Sequence, residues 1–502
     1  MGALLLCVCL DIFRLAQHRG PVNTHTAAVL YYLAGLMRHS LLVLLLLTIA
    51  AGASGQEQHA VATDSVKGGL LHIRHIIIEG NKVTRAQVLL RELDIHAGDM
   101  LHTDSVTQVM AGNKLKLFNL QLFNEVEQRI VREGEYADWY IHVKERWYII
   151  PVGTVQFADR NLNTWLVKHD HDLRRVTAGV TITDINFRGN LENLAVTVQG
   201  GFTQKLGLSY MRPYINKAQT HGVGISASVA QSRQAYFATI NDKLVFAGDY
   251  DGPVVWRQAE AGLTYLYRPA YAARHYAQVT YKSISVGDTI VKLNPEYFAG
   301  AGKSAKFIEL FYRVDYNGVD NWNYPLKGVK MVTQVVTRYG FEGINFQGYI
   351  QEEAGLFLNP LSRCYVALIA RGRIMYPRGQ PYFFRGGLGM QRDQVRGYEY
   401  YVTDGYSYAL GRLDLKRELF NRTFATGIKY FSAIPVRIYP KLFVDAGYID
   451  GARQFNNTLP NRLLYSIGAG LDIVTLYDVK IRIEFAHNHL GQNGLYLHFN
   501  SE

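Results

Sequence analysis

Arg396 stands in Asp393-Gln-Val-Arg-Gly-Tyr-Glu-Tyr-Tyr401, a turn-like stretch in the last quarter of the chain. Gly397 follows it and tyrosines come next. A hairpin tip accounts for the glycine, because a residue without Cβ reverses the backbone at little steric cost. It does not account for the arginine. A guanidinium is planar, permanently charged and able to grip a carboxylate through two parallel hydrogen bonds. The chemistry on offer is fastening rather than bond making. Nothing else in the sequence argues for catalysis: there is no GxxxxGK[ST] phosphate loop, no GxSxG turn, no paired His/Ser signature and no metal-ligand cluster. The chain reads as a non-enzyme that needs no cofactor.

The elements that hold this turn must suit an unusual composition. As a soluble protein, 502 residues would suggest about three domains. Yet only 19% of residues are charged, and Tyr (34) and Gly (46) are abundant while Pro (13) is not. No apolar run after residue 56 is long enough for a transmembrane helix. Short alternating segments rich in Tyr and Gly point instead to a transmembrane β-barrel, with a large soluble sandwich or propeller as the alternative.

The N-terminus reads separately from the fold. Met37-Arg-His-Ser40, the apolar run Leu41 to Ala50 and the small residues up to Gly55 make residues 37–55 a secretory signal peptide. Residues 1–36 precede this complete signal, so Met37 reads as the start and the first segment as an upstream extension; an unusually long leader is the alternative. Cys7 and Cys9 then fall away, leaving Cys364 and no disulfide framework. Removing three arginines and one aspartate with residues 1–55 takes the formal charge from +11 to about +9. No aromatic-interleaved basic helix or other nucleic-acid motif accompanies that charge, so no nucleic-acid partner is expected.

Residues about 70–148 predict a small α/β domain. His72 to Gly80 alternates and is β-branched, a strand ending at a turn. Val83 with Val88 suggests a hydrophobic staple and Thr84 with Gln87 a capping box, starting a helix to about Leu93. A second helix from about Thr103 puts Val106, Val109 and Met110 on one face. Strands at Phe123–Ile130 and Trp139–Lys144 complete a β-α-α-β-β order, two helices on a three-stranded sheet. "IIIEGNKVTRAQVLLREL", "LFNLQLFNEVEQRI" and "VKERWYII", in this order, resemble a POTRA domain, the polypeptide-transport-associated module. The resemblance implies a sheet edge able to take up a client strand by β-augmentation.

From about residue 150 to 502 the remaining length suits about 16 antiparallel strands of about ten residues each. Residues 151–175 read as linker, first strand, or both. Asn193–Val198, Gly224–Val229 and Lys480–Phe485 alternate at period two, the last with Lys480, Arg482 and Glu484 on one face and Ile481, Ile483 and Phe485 on the other. The C-terminal Gln492, Gly494, Leu497 and Phe499 resemble the β-signal of outer-membrane proteins, a closing strand with Leu495, Leu497 and Phe499 facing lipid.

"VRGY", Val395, Arg396, Gly397 and Tyr398, resembles the diagnostic motif of the BamA/TamA superfamily of outer-membrane assembly and secretion barrels. Phe383-Phe-Arg-Gly386-Gly387 is similar to that family's glycine-rich lead-in, and Phe443-Val-Asp445-Ala-Gly447 to its F-x-D-x-G wall motif. "FADRNLNTW", "NFRGN" and "MRPYINKAQ" are also similar. The resemblance implies a loop folded into the lumen whose Arg396 pairs with Asp445, with Val444 and Ala446 facing lipid. It further implies location in the bacterial outer membrane with the POTRA domain in the periplasm. Implied partners are unfolded outer-membrane or exported β-rich polypeptides, outer-membrane lipid and periplasmic or lipoprotein accessory subunits. Two departures stand out: a single POTRA-like module, which puts the docking of several accessory subunits in doubt, and no evident plug helix of the two-partner secretion type.

Overall fold

The computed structural model describes residues 69–158, 165, 171–298, 300, 302–390, 393–425, 433–451, 455–475 and 479–499, with Ala433 and Phe499 described by backbone alone. The expected leader and upstream extension lie outside these residues, as do 159–164 and 166–170 of the ambiguous stretch.

The N-terminal domain contains β1 (Leu70–Glu79), α1 (Ala86–Leu90), β2 (Met100–His102), α2 (Val106–Asn119), β3 (Phe123–Glu133) and β4 (Tyr136–Glu145). Its sheet runs β2-β1-β4-β3, with β1 and β4 parallel and the other pairs antiparallel. Alternate residues of β4, Ala137, Trp139, Ile141 and Val143, are buried against the helices together with Leu89 and Leu117. Trp139 Nε1 donates to Gln128 Oε1 at 3.0 Å and Gln128 Nε2 to the Met110 carbonyl at 2.8 Å, so burial leaves neither side chain without a partner.

The domain departs from its local sequence signals at two places. The sheet has four strands rather than three, because Met100–His102 pairs with Leu70–His72, a stretch too short to carry a period-two signal. The helix expected to reach Leu93 stops at Leu90, and its N-cap Arg85 makes no side-chain cap. The Thr84 hydroxyl shares hydrogen bonds with Tyr148 at 2.7 Å and Asn186 at 3.0 Å instead of capping α1. The Glu145 carboxylate accepts the Val83 and Thr84 amides at 3.1 and 2.7 Å. Long-range partners outcompete the local cap.

The barrel begins directly with β5 (Ile149–Phe157), β6 (Val176–Asp184), β7 (Asn193–Gly201), β8 (Thr203–Arg212) and β9 (His221–Ser232). A hairpin, β10 (Gln234–Ile240) and β11 (Lys243–Gly248), interrupts the wall before β12 (Trp256–Tyr267) and β13 (Ala273–Val286). A short helix α3 (Asp288–Leu293) precedes β14 (Ser304–Val319), β15 (Gly328–Glu342), β16 (Phe346–Leu361) and β17 (Cys364–Tyr376). The ribbon β18 (Gly386–Leu388) and β19 (Thr403–Gly405) lies between β17 and β20 (Ser407–Arg417). Then come β21 (Phe420–Ala425), β22 (Ala433–Asp450), β23 (Leu463–Val474), β24 (Lys480–Asn488) and β25 (Asn493–Phe499). β20 and β21 both pair with β22, so they are two pieces of one stave. Sixteen staves result among the described residues, closed by hydrogen bonding of β25 to β5.

Period two governs the wall. Leu206, Leu208, Ile225, Val229, Leu263 and Val279 point outward, while Ser228 and Glu260, or Lys282 and Glu309, bond to each other inside. Exposed Tyr265, Tyr267, Tyr312 and Tyr316 ring the end nearest the N-terminal domain, and Tyr339, Phe341, Tyr376 and Tyr465 ring the far end. Two aromatic girdles around an apolar band are the mark of a transmembrane barrel.

At the far end the β10–β11 hairpin bridges two opposite sides of the barrel. Asp242 at its tip accepts the Thr458 amide and hydroxyl, both at 2.9 Å, and its carbonyl accepts the Val402 amide. Tyr297, Phe298, Phe307, Tyr382 and Phe384 pack beneath as a buried aromatic roof. At the near end three wall turns receive the N-terminal domain. The Gly189 carbonyl of "NFRGN" accepts the Arg85 amide at 2.9 Å. Gly189 has φ +79, and a Cβ there would lie 2.2 Å from the Val83 carbonyl oxygen, so only glycine fits. Arg91 Nε donates to the Gln219 carbonyl at 2.6 Å. Arg268, buried, clamps buried Glu92 at 2.5 and 2.7 Å while donating to Tyr214 at 3.0 Å.

Two outcomes test this joint. Arg268→Ala removes the bidentate partner of Glu92 and leaves it Arg91 alone, at 2.9 Å, a loss of about 1.5–3 kcal/mol; amides of α1 should exchange with solvent about tenfold faster while the barrel keeps its resistance to SDS. Unchanged exchange would place the joint's strength elsewhere. The second concerns Glu145. Burial pushes its carboxyl up, but hydrogen bonds from Thr84 and Val83 outweigh that and hold it below the ordinary glutamate value. A depressed folded value adds stability that is present above the unfolded value of about 4.3 and lost as pH falls through the folded one. Protection of the Val83 and Thr84 amides should therefore fall on acidification below about pH 4.3, and Glu145→Gln should flatten that dependence.

Candidate functional site

The loop between β17 and β20 folds back into the barrel, and its ends are tied before it turns. Gly386 and Gly387 pair with Gly405 and Asp404 in the β18–β19 ribbon. A Cβ on Gly387 would meet the Thr403 carbonyl oxygen at 2.3 Å, and one on Gly386 would meet the Arg373 guanidinium at 2.2 Å. The lead-in glycines allow backbone to lie against backbone.

Inside the lumen the wall motif receives the turn residue by residue. Asp445, fully buried, accepts the Arg396 amide at 3.0 Å, Nε at 2.9 Å and Nη2 at 2.5 Å. The Phe443 ring lies under the guanidinium, 3.9 Å from Cζ to the ring centre, a close cation–π contact. Gly447 leaves space for the turn: a Cβ there would sit 2.6 Å from Val395 Cγ2. Val395 fills that space and is buried with Leu388, Leu410 and Ile449. Gly397 takes φ +88, and the Tyr398 hydroxyl bonds to His489 and, at 3.3 Å, to the Tyr465 carbonyl. Val444 and Leu442 point outward, as period two requires with Asp445 inside.

Arg396 also reaches two acids that the motif does not contain. Nη2 bonds Asp414 at 2.7 Å and Nη1 bonds Glu484 at 3.2 Å. From these a closed circuit of alternating charge runs around the inner wall. Lys416 lies 3.6 Å from both Asp414 and Asp472, and Lys441 bonds Asp472 at 2.5 Å and Glu484 at 2.6 Å. Glu484 returns the circuit to Arg396. Arg412 faces Asp445 at 3.6 Å and donates to the Gln394 carbonyl, and Tyr324 donates to Asp472 at 2.9 Å. Four cations thus meet four anions, which is how buried charge is tolerated.

Alternation in Lys480–Phe485 puts Glu484 on the inner face, whereas Asp414, Lys416, Lys441 and Asp472 belong to none of the motifs. The signal is Arg412-x-Asp414-x-Lys416, charges of alternating sign at period two on a wall strand. Of the C-terminal positions, Leu495 and Leu497 face outward, Gln492 Nε2 donates to Tyr401 at 2.8 Å, and Gly494 lies beneath the Tyr496 ring. The Phe499 side chain is outside the described residues.

Residues 71–146 match the family model described as "POTRA: Surface antigen variable number repeat". No curated protein sequence matches the chain. Among solved structures, CdiB from Escherichia coli is similar over 86% of this chain and 75% of its own, at 12% identity and a TM-score of 0.51. BamA from Haemophilus ducreyi lacking POTRA domains 1–3 is similar over 86% and 84%, at 14% identity and a TM-score of 0.48. CdiB from Acinetobacter baumannii covers 86% and 73%, at 14% identity and a TM-score of 0.48. The N-terminal domain is a POTRA domain, and the likeness to the Escherichia coli protein is one of fold.

Arg396→Ala leaves Asp414, Asp445 and Glu484 facing one another, a loss of about 3–5 kcal/mol of barrel stability. The temperature at which the barrel loses its compact mobility in SDS should fall while the POTRA domain stays folded. Arg396→Lys should recover little, because an ammonium cannot grip Asp445 bidentately. An unchanged transition in Arg396→Ala would count against the lock.

Proposed function

We propose that the protein is a bacterial outer-membrane assembly barrel that inserts or translocates β-rich polypeptides, with its POTRA domain in the periplasm. The observation that carries this reading is the Arg396 lock, a loop pinned across the lumen beside the terminal strand in a barrel that bears a POTRA domain on its rim. Two further features support it. β3 is an edge strand of the POTRA sheet, so its outer backbone groups are open to an incoming extended segment. β25, which closes the barrel on β5, is only seven residues long, against eighteen for β22. A client strand would pair first on the POTRA edge and then at this seam, using backbone hydrogen bonds that need little side-chain specificity.

A secretion pore for one dedicated client is the second reading, favoured by the one POTRA domain among the described residues, which offers few surfaces for accessory subunits. A passive porin fits poorly, since the lock and the aromatic roof occupy the space that diffusion would need.

Depletion of the protein, followed by quantification of other barrel proteins in the outer membrane, separates these readings. General assembly predicts a several-fold fall across many barrels. Loss of one exported polypeptide with the barrels unchanged would select the dedicated pore, and a steady large conductance of the purified protein would select the porin.

A further inference from the structure

The four residues after Gly397, Tyr398-Glu-Tyr-Tyr401, turn toward the last two strands. Asn488 Nδ2 of β24 donates to the Gly397 carbonyl at 2.7 Å, and the Tyr398 hydroxyl reaches His489 just beyond it. Tyr401 exchanges hydrogen bonds with Gln492 at 2.8 and 3.1 Å. Tyr400 meets Tyr496 of β25 edge to face, with ring centres 6.1 Å apart. Between these tyrosines, Glu399 points at His498, an inward residue near the end of the terminal strand, with Nε2 at 3.6 Å.

The charges around this pair make it more than a packing contact. The Glu399 side chain is only 7% exposed, and its carboxylate faces His498 and the Tyr496 hydroxyl, both on the terminal strand. His498 Nε2 also lies 3.4 Å from Glu484, the acid that closes the charge circuit of Arg396 and Lys441. Arg482 stands directly opposite His498 on β24. On its other side β25 meets β5, which carries no ionisable residue. The His498 imidazole thus stands between an acid of the loop and an acid of the wall, on the strand that forms the seam.

We propose that Glu399 and His498 form a charge clasp through which the lock loop holds the terminal strand β25 in place. The consequence for clients rests on the assembly reading above: the seam opens only when this clasp lets go, so the loop that fills the lumen also governs access to the templating edge. Arg396 anchors the loop on β20, β22 and β24, and the Tyr398–Tyr401 segment extends that anchorage to β25.

Hydrogen exchange of the full-length protein in lipid nanodiscs tests the clasp. Glu399→Gln, nearly isosteric, should speed exchange of the amides of residues 494–498 about tenfold, the factor expected for losing one charge-assisted contact, while β23 is unchanged. His498→Asn should do the same or more, since it also releases Glu484. The double variant should exchange no faster than His498→Asn alone. His498→Lys, which keeps a cation, should stay within about twofold of the parent sequence. Unchanged exchange in both single variants, or additive effects in the double, would overturn the clasp. Complementation of depleted cells with Glu399→Gln separates the two readings. Faster exchange with ordinary barrel assembly leaves the clasp standing and overturns the role assigned to the seam.

Discussion

A guanidinium sealed inside a barrel wall is stable only where acids already surround it, and much of this molecule follows from that requirement. Arg396 brings one positive charge into a space shared by Asp414, Asp445 and Glu484. Three acids around one cation would be unfavourable, so Lys416 and Lys441 enter the same circuit and Arg412 approaches Asp445 from the wall. Removing any one member leaves each of its neighbours with one partner fewer, which couples β20, β22, β23 and β24 through side chains as well as through backbone ladders. The loop is therefore part of the wall's charge balance and not a lid lying over it.

Steric room matters as much as charge. Phe443, Asp445 and Gly447 lie at consecutive inward positions of one strand and do three different things. The ring faces the guanidinium, the carboxylate grips it, and the missing side chain admits Val395. This part of the site was legible in advance, because period two puts 443, 445 and 447 on one face whatever the strand pairs with. The circuit beyond it was not legible. Which inward charges meet depends on strand adjacency and stagger, and these are set by hydrogen bonds between segments far apart in sequence. Asp414 and Glu484 meet the same arginine from positions 18 and 88 residues away.

The POTRA joint marks the same boundary between local and long-range information. Three strands of its sheet and its two helices could be read from alternation and helical spacing, whereas β2 is too short for either signal; β3 runs past its expected C-terminal end and β4 past both of its ends. The capping box at Thr84 could not survive, because Asn186 and Tyr148 claim the hydroxyl and Glu145 claims the amides. Glu92 and Arg268, 176 residues apart, have no sequence signature as a pair. "NFRGN" and "MRPYINKAQ" gain a physical explanation from this joint. They are wall turns shaped to seat a domain, through the Gly189 carbonyl, the Gln219 carbonyl and the Tyr214 ring.

The terminal strand faces two opposed demands. To close the barrel it must stay paired with β5, yet a seam that serves a client must be able to give up that pairing. Backbone hydrogen bonds cannot distinguish these states, since the same donors and acceptors are satisfied by either partner. Side chains on the inner face can. Leu495 and Leu497 face outward and would meet lipid in both states, whereas Tyr496 and His498 face the loop. Under the assembly reading, control of the seam would belong to the inner face, where Tyr400 and Glu399 of the lock loop and Glu484 of the charge circuit reach the strand. A tyrosine-rich segment behind the arginine is suited to that position, because aromatic rings with polar tips can pack on a strand and still keep their hydrogen bonds at the rim.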